Sequence, residues 1–330
     1  MTDPPLVTVV IPMVDEIEDI EACLAAVLAQ DHPADRLEVL VVDGGSTDRS
    51  SERATQVLAG SDVHAWRVLH NPARTTPSSL NLGLAEASGE ILCRVDARTI
   101  VQRDHVTRCV TGLGADPAIA VIGGSQVAIA RGRDAHSRGI ARALNNRLSM
   151  GGADYRSGRA SGPTDTVYLG AFRTDDLRAA GGWDERFPTN QDFELNRRMG
   201  RQGVVWLDAD IRSGYVPRAH LRGLWQQYHR FGRWKVRYWR TAGEGPVPRQ
   251  RLILALPLVP LALVATVALL RPAGLLPLAA VGVGGLLVVD AVGADGPAPP
   301  AVRAWASVAT LVVSTAWWVG VVHEVVRPSR

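Results

Sequence analysis

Along the first two-thirds of the chain, short apolar runs alternate with segments of helical period. Val7-Thr8-Val9-Val10-Ile11 predicts a strand stopped by Pro12, and Ile17, Ile20, Cys23, Leu24, Val27 and Leu28 fall at helical spacing over 17–30. Glu38–Val42 predicts a second strand, ending in Asp43-Gly44-Gly45-Ser46-Thr47-Asp48. There Gly-Gly supplies a turn, and Ser46, Thr47 or Asp48 can cap the next helix. Val63–Leu69 predicts a third strand ahead of His70-Asn71-Pro72, and Pro77–Ala87 a helix closed by Gly89. The run Glu90-Ile91-Leu92-Cys93-Arg94-Val95 predicts a buried fourth strand that delivers Asp96 at its carboxyl end. A helix over 103–113, a strand over 118–130 and a helix over 134–150 come next, then a Gly- and Arg-rich loop over 151–163. Beyond it lie a strand over 166–172, helices over 175–180 and 190–202, and a strand over 204–207. Strands alternating with helices in this way predict an α/β class with βαβ units and a Rossmann-like, mostly parallel sheet.

After Pro217 the pattern changes. Arg218–Arg240 interleaves seven basic residues with six aromatic ones, Trp225, Tyr228, Phe231, Trp234, Tyr238 and Trp239. Such a stretch suits either a nucleic-acid patch or a helix lying in a membrane interface. The rest of the chain favours the membrane: Leu252–Leu270, Ala273–Val289 and Ala304–Val322 are three uncharged runs, each near the length of a bilayer core. The expected organisation is a domain over 1–217, an interfacial segment over 218–251 and a C-terminal membrane region over 252–330, with spans near 252–270, 273–291 and 304–326. Arg249 and Arg251 before the first run place the N-terminal domain in the cytoplasm by the positive-inside rule. Three spans would then put Arg327 and Arg330 outside, against the same rule, and Pro257 and Pro260 leave a bent or re-entrant first segment open.

Composition adds little to this. Net charge is +3 over 330 residues, so no polyanionic partner is implied and nucleic acid is not expected. Lys235 is the single lysine, an arginine bias that reads as genome composition. Cys23, Cys93 and Cys109 lack CxxC spacing and read as small buried residues in a reducing compartment, with no zinc site. The N-terminus shows no signal-peptide pattern.

The chemistry lies in the loops after successive strands. They carry Asp15-Glu16, then Asp43 with Asp48, then Asn71 and Arg74, then Asp96 with Arg98. Ligands of open α/β sheets bind at the carboxyl ends of strands. A row of carboxylates gathered there is costly unless a metal, arginine or hydroxyl-rich ligand meets it. Neither GxGxxG after the first strand nor GxxxxGK[ST] is present, which argues against dinucleotide and P-loop chemistry.

Val9-Val10-Ile11-Pro12 with Asp15-Glu16, and Val41-Val42-Asp43-Gly44-Gly45-Ser46-Thr47-Asp48, resemble the start of family 2 inverting glycosyltransferases. The resemblance continues through Asn81-Leu82-Gly83, Ala87-Ser88-Gly89-Glu90, Arg94-Val95-Asp96-Ala97, Gly170-Ala171-Phe172 and Asn190-Gln191-Asp192-Phe193-Glu194-Leu195, over roughly residues 6 to 240. The membrane-bound succinoglycan-biosynthesis type is the branch it resembles in its Arg-Val-Asp-Ala and Asn-Gln-Asp strings. It implies a GT-A fold and transfer of a hexose from a nucleotide-diphosphate sugar, UDP-linked, to a lipid-linked (polyprenyl) glycan acceptor at the membrane, in polysaccharide or cell-envelope biosynthesis. Asp43, Pro12 and Glu16 would line the nucleoside pocket, and Arg74 and Arg98 would also face the donor. Asp96 would reach a divalent metal (Mg²⁺ or Mn²⁺) on the diphosphate, and Asp192 would be the catalytic base. Gln227-Tyr228-His229-Arg230-Phe231 resembles the QxxRW element of membrane synthases with Phe in place of Trp, so that Arg230 would hold the diphosphate. Gly170, Trp183, Asp184, Gln227 and Phe231 would meet the acceptor.

These residue types suit an inverting displacement. A carboxylate within about 2.6–3.2 Å of the acceptor hydroxyl takes its proton, and the departing diphosphate is neutralised by a hard cation or arginine. One departure stands out: Arg98 occupies the place of a second Asp or a His, and a guanidinium cannot ligate a metal. Either the metal rests on Asp96 and the phosphates alone, or Arg98 partly replaces it. Trp183-Asp184-Glu185 either lines the acceptor site or makes a tight turn. The rivals to this reading are a processive polysaccharide synthase and a catalytically silent glycan- or nucleotide-binding subunit. Membrane transport is disfavoured because the apolar runs carry almost no ionisable residues.

Overall fold

The computed structural model describes residues 3–148, 154–158, 160–255, 285, 288–290 and 292–328. The first two predicted spans therefore fall largely outside the described residues. The chain divides into two compact units, one of residues 1–127 and 157–216, the other of residues 128–156 and 217–330.

The first unit is built on one sheet. Its strands are β1 (Val7–Met13), β2 (Leu37–Asp43), β3 (Ala65–His70), β4 (Ile91–Arg94), β5 (Thr99–Ile100), β6 (Ile119–Ala128), β7 (Gly162–Pro163), β8 (Tyr168–Arg173) and β9 (Val204–Tyr215), in the order β3-β2-β1-β4-β8-β6-β9-β5 with β7 beside β9. The β3-β2-β1-β4 half is parallel, as the βαβ pattern predicts. By contrast β8 joins both β4 and β6 antiparallel, and β5 and β7 each run antiparallel to β9. The sheet is therefore mixed. Helices α1 (Ile20–Leu28), α2 (Ser50–Leu58), α3 (Thr76–Glu86) and α4 (His105–Ala115) connect the early strands. Val7, Val9, Ile11, Val39, Val41 and Cys93 from the sheet meet Ile20, Leu24, Leu58, Val106 and Leu113 from these helices in a single buried core. Pro12 is tolerated in central β1 because the β4 pairing stops at Val10, leaving Pro12 opposite Val42 of β2 only.

β9 runs eight residues beyond its predicted end at Leu207. Asp208-Ala209-Asp210 interrupts the apolar run, but Ile211 and Ser213 return to the buried face, so alternation rather than continuous hydrophobicity carries the strand. At the amino end of β2, buried Glu38 accepts from Thr8 Oγ1 (2.5 Å), Ser88 N (2.8 Å) and Ser88 Oγ (3.0 Å). That carboxylate is satisfied by the protein itself.

Between β6 and β8 come α5 (Ala135–Asn145) and α6 (Asp154–Ser157); after β8 come α7 (Thr174–Ala179) and α8 (Gln191–Met199). The second unit contains α5, α6, α9 (Leu221–Ala242), α10 (Pro248–Ala255) and α11 (Pro300–Val326). The predicted interfacial segment forms α9, which buries Leu224, Tyr228, Gly232, Val236 and Tyr238. α9 and α11 approach with their backbones nearly touching: a Cβ on Gly232 would meet the Trp317 carbonyl, and one on Gly320 the His229 carbonyl. Only glycine permits so close a crossing. α11 is long and apolar enough to cross a membrane by length and composition.

Candidate functional site

The loops at the carboxyl ends of the parallel strands are bonded to one another. Gly44 N donates to Met13 O (2.8 Å), Asp15 N to Ser46 Oγ (2.9 Å), and Thr47 N to Asp15 Oδ1 (2.7 Å), which locks the loop after β1 to the loop after β2. The loop after β3 joins them through Asn71 N to Asp43 O (2.7 Å) and Arg74 Nη2 to Gly45 O (3.2 Å). Arg98, after β4, closes the rim with Nε on Glu16 Oε2 at 2.6 Å and 4.0 Å from Asp19. Asp43 itself is buried, its Oδ1 accepting from Ser46 N (3.0 Å) and Ser46 Oγ (2.6 Å). Asp48 accepts from Ile17 N (3.1 Å) and from Ser50 N (3.1 Å), an Asx turn just ahead of α2, whose own N-cap position is Arg49. Burial pushes its carboxyl upward, but the bonds from Ser50 and Ile17 outweigh this and leave it below the usual range.

The second part of the rim is organised by Arg94. Its Nε donates to Asp96 Oδ1 at 2.7 Å, and its Nη1 pairs with Asp192 Oδ1. The arginine side chain is 6% exposed, whereas those of Asp96 and Asp192 are 32% and 44% exposed. A buried fork thus holds two outward-facing carboxylates from different elements side by side. Asp192 lies in the first turn of α8, entered through Asn190 in the left-handed region (φ 64°), so its carboxylate also sits at the positive end of a helix. Next to Asp96, the Tyr168 hydroxyl lies 2.7 Å from Thr99 Oγ1, and burial, with a smaller contribution from Asp96, pushes that phenol up.

Of the residues expected from sequence, Pro12, Glu16, Asp43, Arg74, Asp96 and Arg98 belong to these loops and strand ends of the first unit, and Asp192 to the first turn of α8 in the same unit. Glu16 and Arg98 line a cavity of about 210 Å³ together with Asp19 and Asp48. That volume is below the roughly 300–1,000 Å³ of ligand pockets, too small for a whole nucleotide sugar. Gly170 lies in β8 beside Leu169, which has φ 52°. Trp183, expected near the acceptor, is buried with its ring edge-on against Phe172 at 5.8 Å. Asn81 fixes its backbone by accepting from Trp183 N (2.8 Å) and donating to Trp183 O (2.8 Å). Asp184 is clasped by Arg186 Nε (3.0 Å) and Nη2 (2.6 Å), which holds its carboxyl below the usual range. Gln227, Arg230 and Phe231 are on α9 of the second unit, where Phe231 packs edge-on against Tyr228 at 5.4 Å.

Arg94 was not among the expected site residues. Its only local mark is its place, a charged residue closing the otherwise apolar strand Ile91–Arg94 two positions before Asp96. For a divalent cation, Asp96 offers the fitting donor type, a hard oxygen on a half-exposed carboxylate with Oδ1 already oriented by Arg94. Among the described residues there is no cluster of three or more His, Cys, Asp or Glu that could hold a metal. A metal here would need ligand oxygens to complete its shell, as a diphosphate supplies.

Residues 8–172 match the family model Glycosyl transferase family 2. The chain is 31% identical over 324 residues to the succinoglycan biosynthesis protein ExoA of Rhizobium meliloti, covering 96% of this chain and 94% of that protein. It is 23% identical over 232 residues, 68% of this chain and 71% of the relative, to a dolichyl N-acetyl-α-D-glucosaminyl phosphate 3-β-D-2,3-diacetamido-2,3-dideoxy-β-D-glucuronosyltransferase of Methanococcus voltae. Among solved structures, the mannosyltransferase PcManGT of Pyrobaculum calidifontis in complex with GDP-Man and Mn²⁺ superposes with a TM-score of 0.59 at 21% identity, covering 99% of this chain and 89% of that one. The mixed α/β sheet is thus that of the GT-A glycosyltransferases, and the chain belongs to glycosyl transferase family 2.

Proposed function

We propose that this glycosyltransferase is membrane-bound and inverting, moving a hexose from a UDP-linked donor to a lipid-linked glycan in polysaccharide or cell-envelope biosynthesis. The observation that carries the reading is the Arg94 fork, which presents Asp96 and Asp192 together at the rim where the donor loops meet. In this reading Asp192 takes the proton of the acceptor hydroxyl as its oxygen attacks the anomeric carbon, and Arg94 holds the carboxylate in line. Asp43, Pro12, Glu16 and Arg74 bind the nucleoside side of the donor, with Arg98 bracing Glu16. Asp96 would hold a Mg²⁺ or Mn²⁺ ion, which when bound supplies charge neutralisation for the leaving diphosphate. The solved mannosyltransferase was crystallised with Mn²⁺, and relatives include undecaprenyl-phosphate and dolichyl-phosphate sugar transferases, which support the metal and the lipid-linked acceptor.

The division into a cytoplasmic catalytic domain over 1–217, an interfacial segment over 218–251 and a membrane region over 252–330 is part of the same proposal. Its apolar runs over 252–270 and 273–291 would make the protein multi-pass, and Arg230, Gln227, Phe231, Gly170 and Asp184 would meet the diphosphate and acceptor. Incubation of the membrane-embedded protein with labelled nucleotide sugars and lipid extracts tests it. Label in a chloroform-soluble lipid is the expected product; label only as free sugar or nucleotide would contradict the reading.

A further inference from the structure

α11 has the length of a membrane span, yet both of its ends are bonded to helices that cannot cross a membrane. At its start, Arg303 Nε lies 3.2 Å from Asp290, which also accepts from Arg142 of α5 at 2.7 and 3.1 Å. Two residues on, Trp305 stacks edge-on against His136 of α5 at 4.7 Å, and a Cβ on Gly139 of α5 would collide with it. At its end, Glu324 is 1% exposed and accepts from Arg233 Nε and Arg237 Nε of α9, each at 2.9 Å. Arg240 of the same helix donates to the Glu324 carbonyl at 3.1 Å.

α5 has eleven residues, a rise of about 16 Å, and carries His136, Arg138 and Arg142. α9 carries Arg222, Arg230, Arg233, Lys235, Arg237 and Arg240, each costing roughly 2.5–3.5 kcal/mol at a bilayer centre. Each helix also comes soon after a sheet strand: residues 129–134 separate β6 from α5 and 216–220 separate β9 from α9. Such links reach about 20 Å at full extension, so a bilayer core of about 30 Å could be crossed only by drawing the charged first turns of α5 or α9 into it as well. Arg142 and Arg233 therefore stay on one side of the membrane, and the two ends of α11 stay with them.

We infer that α11 does not span the bilayer but lies along its cytoplasmic surface, with an apolar stripe seated at the headgroup–acyl boundary. One face of the helix, Val302, Ala306, Ala309, Val313, Ala316 and Gly320, is buried by protein. On the other, Ala304, Val308, Leu311, Val319 and Val322 form an exposed stripe without a charge. Exposed Arg222 on α9 supplies a cationic flank of the kind anionic headgroups favour. The inference also removes the conflict over sidedness: two crossings, over 252–270 and 273–291, and then an in-plane helix leave Arg303, Arg327 and Arg330 in the cytoplasm, as the positive-inside rule favours.

It rests on the membrane attachment proposed above, and one depth profile separates the two. Single cysteines at Ala304→Cys, Val308→Cys, Leu311→Cys, Val319→Cys and Val322→Cys in the full chain are labelled with a nitroxide, after reconstitution into phosphatidylglycerol–phosphatidylethanolamine vesicles. Immersion depth is read from oxygen against nickel-chelate relaxation, with the unsubstituted chain controlling for its three buried cysteines. A uniform depth of about 5–10 Å at all five positions is expected. A profile deepening to about 15 Å at Leu311, mid-bilayer, and shallowing toward both ends would overturn the in-plane helix while leaving the protein in the membrane. No immersion at any position would also overturn the in-plane helix, and flotation of the same vesicles then decides the membrane reading separately: chain that floats with the lipid keeps it, chain that stays behind rejects it.

Discussion

Arg94 is the residue on which the site turns, since two carboxylates from separate elements depend on its fork. Lysine keeps the charge but cannot bridge two acceptors in a plane. Arg94→Lys is expected to lower kcat about 10- to 100-fold with little change in donor KM, because misplacement by about 1 Å costs on that order. An unchanged kcat would show that the fork has no part in turnover; a thermal melt of the same variant separates misplacement from loss of fold. His105 makes a different kind of prediction. It is fully buried at the first residue of α4, 3.5 Å from Ser213 Oγ, and burial lowers its imidazole from 6.5 to about 4. Below pH 6.5 the unfolded chain binds a proton that the folded chain refuses until about pH 4. This contribution to stability is therefore intact above pH 6.5 and lost as pH falls toward 4, by at most about 3 kcal/mol. Denaturant titrations across that window should show a steeper loss for the parent than for His105→Leu; parallel curves would contradict the burial account.

At the scale of elements, legibility depended on how local each signal was. Asp43 and Asp96 could be read because each ends an apolar run and begins a turn, a pattern contained in a few residues. Arg94 was hidden by the same run, since its partner Asp192 lies 98 positions away and nothing local marks the pair. Trp183-Asp184-Glu185 could be read from sequence as acceptor lining or as a tight turn, and the burial of Trp183 among Phe172, Leu84 and Asn81 is set by tertiary packing that no local pattern carries. The basic and aromatic residues of α9 are plain in the sequence, whereas its arginines' partner, Glu324, comes from the far end of the chain. Glu324→Gln leaves Arg233 and Arg237 facing an uncharged group inside the α9–α11 crossing. We expect a loss of about 2–3 kcal/mol, below the range for a wholly buried pair because both arginines are a quarter or more exposed. A melting temperature equal to the parent's would show that the crossing holds without the charge.

Across the whole molecule, the parallel half of the sheet brings the β1, β2, β3 and β4 loops together, and the antiparallel strands leave room for α8 to deliver Asp192. Catalysis by this arrangement should require a divalent cation, because the Asp96 carboxylate would face a diphosphate of the same charge and Arg98 is committed to Glu16 at 2.6 Å. Exhaustive chelation is expected to abolish transfer and added Mg²⁺ or Mn²⁺ to restore it; full turnover in chelator would instead assign charge neutralisation to arginine. The central claim, that Asp192 is the base of a sugar transfer, is tested most directly by Asp192→Asn in the membrane-embedded protein. Donor binding and single-turnover transfer to lipid are measured on the same preparation. The account predicts donor affinity within a few-fold of the parent and transfer slowed about 10²- to 10⁴-fold. Transfer at the parental rate would contradict it.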